Sequence, residues 1–198
     1  MKYTLAAALF ASFAVAGCTT DPTPDRLFTE ALNYRLLSND SATATLERWC
    51  GELKMAPEAK IVARRGDRER QPGAEVLRAL QVSAGETVRY RQVRLLCGER
   101  LMSTADNWYV PSRLTPEMNQ ALETTDEPFG RVVAPLGFTR KNLSVRMPAA
   151  TTRSYLLEHR AVLSTAAGQP FSYVVERYSK SAVRPPKAYA RSFGKREG

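Results

Sequence analysis

Few side chains here can do chemistry, and one arginine stands apart by its position. Residues 88–111 read VRYRQVRLLCGERLMSTADNWYVP. β-Branched, aromatic and aliphatic residues flank a single glycine, which predicts two strands joined by a tight turn at Cys97-Gly98-Glu99-Arg100. Alternation puts Arg91 on the face that carries Val93, Leu95 and Cys97. The other face carries Tyr90, Gln92 and Arg94, so the odd-numbered face is the better core candidate. An arginine aimed at a core is costly unless an anion or a dense hydrogen-bond set meets it. A buried carboxylate partner, or snorkelling to the strand edge, would also satisfy it.

The remaining candidates are sparser. The chain has one histidine, His159, in a strand pattern with no second ligand beside it, which reads as a strand-face residue and not a metal site. Arg64, Arg65, Arg68 and Arg70 crowd one loop, the usual signature of a solvated basic segment. Glu176 lies on a late strand and shares its face with Val174 and Ser172.

The elements that must position these residues are legible in outline. Residues 26–37 have helical spacing in Leu27, Phe28, Ala31, Leu32 and Leu36. Asn39-Asp40-Ser41 breaks that helix, and Ser41 or Thr43 can cap a second one running to about Trp49. Residues 60–65 read as a strand, whereas 75–82 are ambiguous. Thr115 precedes Pro116 as the cap of a helix over 114–122, and Asp126-Glu127-Pro128-Phe129-Gly130-Arg131 is another helix start. There Gly130 allows close backbone approach, and first-turn N–H groups are free donors for a carboxylate. Residues 152–164 and 171–178 read as antiparallel strands.

The two ends differ from the middle. Lys2 and the apolar run 5–15 form a leader too short to span a bilayer, followed by Val15-Ala16-Gly17-Cys18. From 180 on, Lys180, Arg184, Lys187, Arg191, Lys195 and Arg196 dominate, which predicts a basic, disordered tail suited to an anionic lipid surface. At 198 residues, 43% hydrophobic and 25% charged, the chain suits one globular domain. Its net charge of +9 favours anionic partners without choosing among them.

Two resemblances sharpen this. Val15-Ala16-Gly17-Cys18 resembles the lipobox of bacterial lipoproteins, in which the cysteine is acylated and the leader removed. That implies a leader over 1–17, a lipidated tether over 18–25, and a bacterial envelope location facing the periplasm. Thr19 in place of aspartate favours the outer membrane. Four further blocks, spread over 40–178, resemble the chorismate pyruvate-lyases. Asp40-Ser41-Ala42-Thr43 is similar to that family's Ser-Met-Thr segment, and Arg91-Gln92-Val93 with the return strand 105–111 to its Arg-Glu-Val hairpin. Pro128-Phe129-Gly130-Arg131 resembles its Pro-Leu-Gly-Arg turn, and Glu176 falls where its late glutamate does.

The second resemblance implies an α+β domain over 26–179, an antiparallel sheet with helices packed on one face. It also implies a lyase that eliminates pyruvate from chorismate to give 4-hydroxybenzoate, with no metal or cofactor and no nucleic-acid partner. The ligand is a small aromatic carboxylate. Arg91 would clamp its carboxylate, Ala42, Phe129 and Gly130 would frame it with main-chain donors, and Glu176 would give a proton to the departing ether oxygen. Such a glutamate must be protonated, so burial has to raise its pKa. The alternative is a binding lipoprotein that keeps the pocket without turnover. Cys50 and Cys97 could pair after export, but Cys97 ends the inward face of its strand, and the resemblance implies that the helix closed by Cys50 packs near the pocket and that a cysteine near the hairpin needs no bridge, so two unbridged thiols are expected.

The lipobox has a direct consequence. Cys18→Ser should leave the chain unprocessed or free of the membrane, as read by mass and by membrane fractionation. Mature, membrane-bound protein carrying that substitution would refute lipidation at Cys18.

Overall fold

The computed structural model describes residues 23–148, 154–184 and 186. Helix α1 (Pro24–Leu37) opens with proline in its first turn, where a missing N–H costs nothing, and buries Leu32 and Leu36. The next helix, α2 (Ala42–Glu52), is capped by Ser41, whose hydroxyl accepts the Ala44 N–H at 3.2 Å. Then follow β1 (Ile61–Arg65), α3 (Ala74–Ala79), β2 (Arg89–Cys97) and β3 (Arg100–Tyr109). Thr115 caps α4 (Pro116–Thr124) by accepting the Met118 N–H at 3.2 Å, and α5 (Phe129–Val132) is a single turn. The chain closes through β4 (Thr139–Arg146), β5 (Tyr155–Ser164), β6 (Pro170–Ser179) and α6 (Lys180–Val183).

The strands form one antiparallel six-stranded sheet in the order β1-β2-β3-β6-β5-β4, the expected α+β architecture. Register sets the faces, because directly paired residues point the same way. Arg65, Val93 and Ala105 therefore share a face with Asn107, Val174, Glu176, His159 and Arg140. That face carries two apolar clusters. One gathers Leu32, Leu46, Trp49, Val93 and Leu157 under α1 and α2; the other gathers Leu122, Phe129, Leu163, Phe171 and Val174 under α4 and α5. The opposite face is not left bare. There α3 lays Val76 and Leu80 on Trp108, Tyr173 and Val175. Arg113 clasps that layer down: its guanidinium donates to Glu86, to the Leu80 and Gln81 carbonyls, and to the Pro170 carbonyl.

Three expectations change. No strand was foreseen over 139–146, because β4 is a polar edge strand with Arg140, Lys141, Asn142 and Arg146 and little alternation to read. The first residues of the basic tail belong to the fold. Ala182 and Val183 are buried, the Trp49 indole donates to the Ala182 carbonyl at 2.8 Å, and Arg184 pairs with Asp25. Residues 185 and 187–198 lie outside the described residues, as do the leader and Cys18.

Cys50 and Cys97 are the third correction. They form a disulfide, with Cα atoms 6.4 Å apart, because α2 lies directly across β2 and delivers its C-terminal turn to the hairpin. The bond closes 47 residues of chain. Reduction, or Cys97→Ser, should lower stability by about 2–4 kcal/mol. Denaturant midpoints with and without reductant test this, and two alkylatable thiols on these residues in unreduced, denatured protein would refute it.

Candidate functional site

A small cavity lies in the seam between the two apolar clusters of the helix-covered face. Its volume is about 30 Å³, room for about two waters. Val93, Leu95 and Ala105 wall one side, and Phe129, Phe138, Leu163 and Val174 the other. The starts of α2 and α5 meet above it, at Ser41-Ala42-Thr43 and Phe129-Gly130. First-turn N–H groups have no partner within their own helix, so these two ends offer donors to an acidic group. They approach closely because residue 130 is glycine: a Cβ there would lie 3.0 Å from the Thr43 hydroxyl oxygen. Arg131 links α5 to α2 through partly exposed pairs, with Glu127 at 2.8 Å and with Glu47, whose carboxylate also accepts the Ile61 N–H at 3.0 Å.

The polar floor of the cavity is an ion pair. Arg140 donates to Glu176 at 2.6 Å, and both side chains are more than nine-tenths buried. Tyr178 donates to the same carboxylate oxygen at 2.9 Å, and the Arg140 Nε donates to Asn142 at 2.9 Å. The Arg140 backbone N–H donates to Asp40 at 2.9 Å, which ties the edge strand to the loop before α2. Burial by itself would raise the Glu176 carboxyl, but the Arg140 guanidinium more than offsets that and holds it below the ordinary carboxylate range. The same pair keeps Arg140 above the usual arginine value despite its burial.

His159 lies behind this pair, stacked edge-on to Tyr178 and joined through Nε2 to the Asn33 side chain at 2.7 Å. Its Nδ1 is buried and bonds to nothing among the described residues. Burial pushes the imidazole down to about 4; the nearby Glu176 charge opposes that and the Arg140 charge adds to it.

Of the residues expected to form a site, Ala42, Phe129, Gly130 and Glu176 converge on this cavity, and Arg91 does not line it. Arg91 sits one pleat beyond Val93, against the loop between α4 and α5, where Nη2 donates to the Glu127 carbonyl at 3.0 Å and more weakly to the Thr125 carbonyl at 3.4 Å. It faces a separate open cleft of about 340 Å³. The cation in the cavity is Arg140, which sequence reasoning missed along with its strand. The available signal was slight: an arginine two residues past Phe138, on a segment otherwise polar. Among the described residues, no group of acidic, histidine or cysteine side chains could hold a metal ion.

Comparison with known proteins bears on these expectations. No protein-family model matches the chain. It is 44% identical over 179 residues, 79% of this chain and 76% of the other, to "Uncharacterized protein y4mC" of Sinorhizobium fredii. Among solved structures, PhnF from Mycobacterium smegmatis matches 70% of this chain and 63% of its own, with a TM-score of 0.51 and 10% identity. YydK from Bacillus subtilis, classed as a transcriptional regulator, matches 63% of this chain and 59% of its own (TM-score 0.46, 16% identity). A ligand-binding domain assigned to a GntR-family regulator from Bordetella bronchiseptica matches 62% of this chain and 87% of its own (TM-score 0.46, 23% identity). Likenesses at these identities speak for fold alone, and the fold is the chorismate lyase-like one. This chain spans about three-fifths of the PhnF and YydK chains.

The site corrects the expected lyase. Glu176 is an ionised acceptor held by Arg140 and Tyr178 and has no proton to give a departing oxygen. Arg91 stands outside the cavity that Glu176 lines. Glu176 and Arg91 are therefore not a catalytic pair, and nothing in these likenesses carries the lipoprotein expectation either.

The buried histidine makes a pH prediction. The folded protein refuses a proton on His159 until about pH 4, while the unfolded chain accepts one near 6.5. Its contribution is therefore fully present above pH 6.5 and lost as pH falls toward 4, in total about 3 kcal/mol. Glu176, with its depressed pKa, adds a loss only below the unfolded carboxyl value. His159 is the chain's one histidine, so His159→Gln should flatten the stability profile between pH 6.5 and 4. An unchanged slope in denaturant titrations would refute the assignment.

Proposed function

Because the chain belongs to the family of the Sinorhizobium fredii y4mC protein, a kinship that brings no activity with it, we propose from the site itself that this is a small-molecule-binding domain without turnover. Its ligand is a compact acid with an apolar body, of the size and kind of an aromatic carboxylate. The acid group lies where α2 and α5 begin, beside Arg140, and the body replaces apolar contacts of Phe129, Phe138 and Leu163. One observation carries this reading: two helix starts and a buried arginine converge on a cavity otherwise walled by hydrocarbon.

At about 30 Å³ the cavity is too small for an aromatic ring. Binding therefore moves part of the wall. The single-turn α5 and the loop around it are the movable part, since the opposite wall is the hydrogen-bonded sheet. Arg140 is the natural responder, able to share its fork between Glu176 and an incoming acid. Binding then changes the position of α5, which is how a site of this kind would report occupancy to a partner. The place of action rests on the Val15-Ala16-Gly17-Cys18 segment, and the Cys50–Cys97 disulfide suits the oxidising compartment it implies.

Titration calorimetry with 4-hydroxybenzoate tests the reading. Binding should be saturable, and Arg140→Lys should weaken it at least about tenfold, roughly 1.4 kcal/mol, because lysine cannot copy a two-pronged contact. Incubation with chorismate should release no pyruvate. Equal affinity in the Arg140→Lys protein, or pyruvate release, would overturn it.

A further inference from the structure

Arg91 is a buried cation with no carboxylate paired to it among the described residues. It is 4% exposed, its Nε and Nη1 are buried and bond to nothing among the described residues, and it makes no ion pair among them. Only Nη2 is engaged, by two carbonyls of the loop after α4, which hold the guanidinium in one orientation. Leaving donors of a charged group unmet in the interior is costly, and natural folds seldom do so without a partner.

The surroundings show what kind of partner fits. Arg65 on β1, Arg89 and Arg91 on β2 and Tyr109 on β3 occupy the same face of three adjacent strands and line one open cleft. The lining also carries two carboxylates, Glu69 and Glu123, against four guanidinium groups, Arg65, Arg70, Arg89 and Arg91, so positive charge prevails there; Glu123 pairs with Arg89 at the rim, and Asp126 nearby with Arg64. We propose that this cleft binds a phosphate-type oxyanion, on Arg91 at its floor and Arg65 and Arg89 at its rim. Three guanidinium groups in an open, polar setting suit a doubly charged tetrahedral anion better than an apolar acid, which belongs to the walled cavity beyond Val93. Burial, together with the Arg65 charge, pulls the Arg91 guanidinium down to about 10, and the opposing charges of Tyr109 and Asp126 do not offset that.

The resemblance to the lyases would have put this arginine in the cavity with Glu176. Its actual cationic neighbours, Arg65 and Arg89, lie outside the blocks that carry that resemblance. The site is independent of the proposed acid-binding cavity, and each can fail without the other.

The phosphate group can come from a soluble phosphate or from a phospholipid head group. The full chain is titrated with inorganic phosphate and with a water-soluble short-chain phosphatidylglycerol, at ionic strength matched with sodium chloride. Saturable binding of at least one is expected, at least tenfold weaker in Arg91→Met, and the tighter of the two identifies the source. Arg89→Gln, at the rim, should weaken it severalfold and keeps the test alive if Arg91→Met does not fold. No saturable binding of either probe, or affinity unchanged in these variants, would overturn the proposal. So would binding that is lost in Arg140→Lys and kept in Arg91→Met, since that would place the anion in the other cavity.

Discussion

The buried pair between Arg140 and Glu176 is the constraint on which the site and its surroundings depend. Removing two charges from water costs several kcal/mol each, and their attraction offsets that only when every remaining donor and acceptor is also met. Here the accounting is nearly complete. The carboxylate takes bonds from Arg140 and Tyr178, the guanidinium has Asn142 as well, and the Arg140 main chain is held by Asp40. Tyr178 and Asn142 come from the pair's own strands, whereas the pair itself and the Asp40 contact join segments remote in the chain. The pair therefore fixes the edge strand β4 against the loop before α2 and against the central strand β6.

The pair also explains why the core on that face is divided. Two apolar clusters cannot merge across an ionised pair without stripping it of its polar contacts, so a seam remains, and the cavity lies in the seam. Helix starts are well placed there, since their partial positive charge adds to that of Arg140 and balances Glu176. A protonated carboxyl, as a lyase of the expected kind would need, is incompatible with so close a guanidinium. Arg91, on the same face, is the opposite case: its carbonyl contacts orient it without neutralising it.

Around these charges the helix layer is stitched to the sheet by contacts far apart in sequence. Cys50 meets Cys97 across 47 residues, Arg131 bridges α5 to Glu47 on α2, and Arg113 collects carbonyls and Glu86 from the layer on the opposite face. The tail contributes too, through Ala182 and Val183 under Trp49. Such contacts suit a small domain, whose limited core leaves much of its cohesion to specific links.

Local patterning alone determined the helices at 24–37 and 42–52, the caps at Ser41 and Thr115, the central hairpin and the final strand pair, because caps, turns and periodicity are short-range effects. It also determined that Arg91 points inward, since alternation is a property of one strand. That Ala42, Phe129, Gly130 and Glu176 meet came from a likeness in the order of short blocks, and the fold brings those four together. What only the tertiary structure decided was partnership. Arg140 became the counter-ion of Glu176 because a polar edge strand, unremarkable in sequence, pairs next to β5. Cys50 reached Cys97, and the start of the basic tail became a buried helix turn, through packing between segments remote in the chain. Whether a buried charge is neutralised, and so whether a glutamate keeps or loses its proton, depends on which strand lies beside it, and strand order is set by the whole sheet.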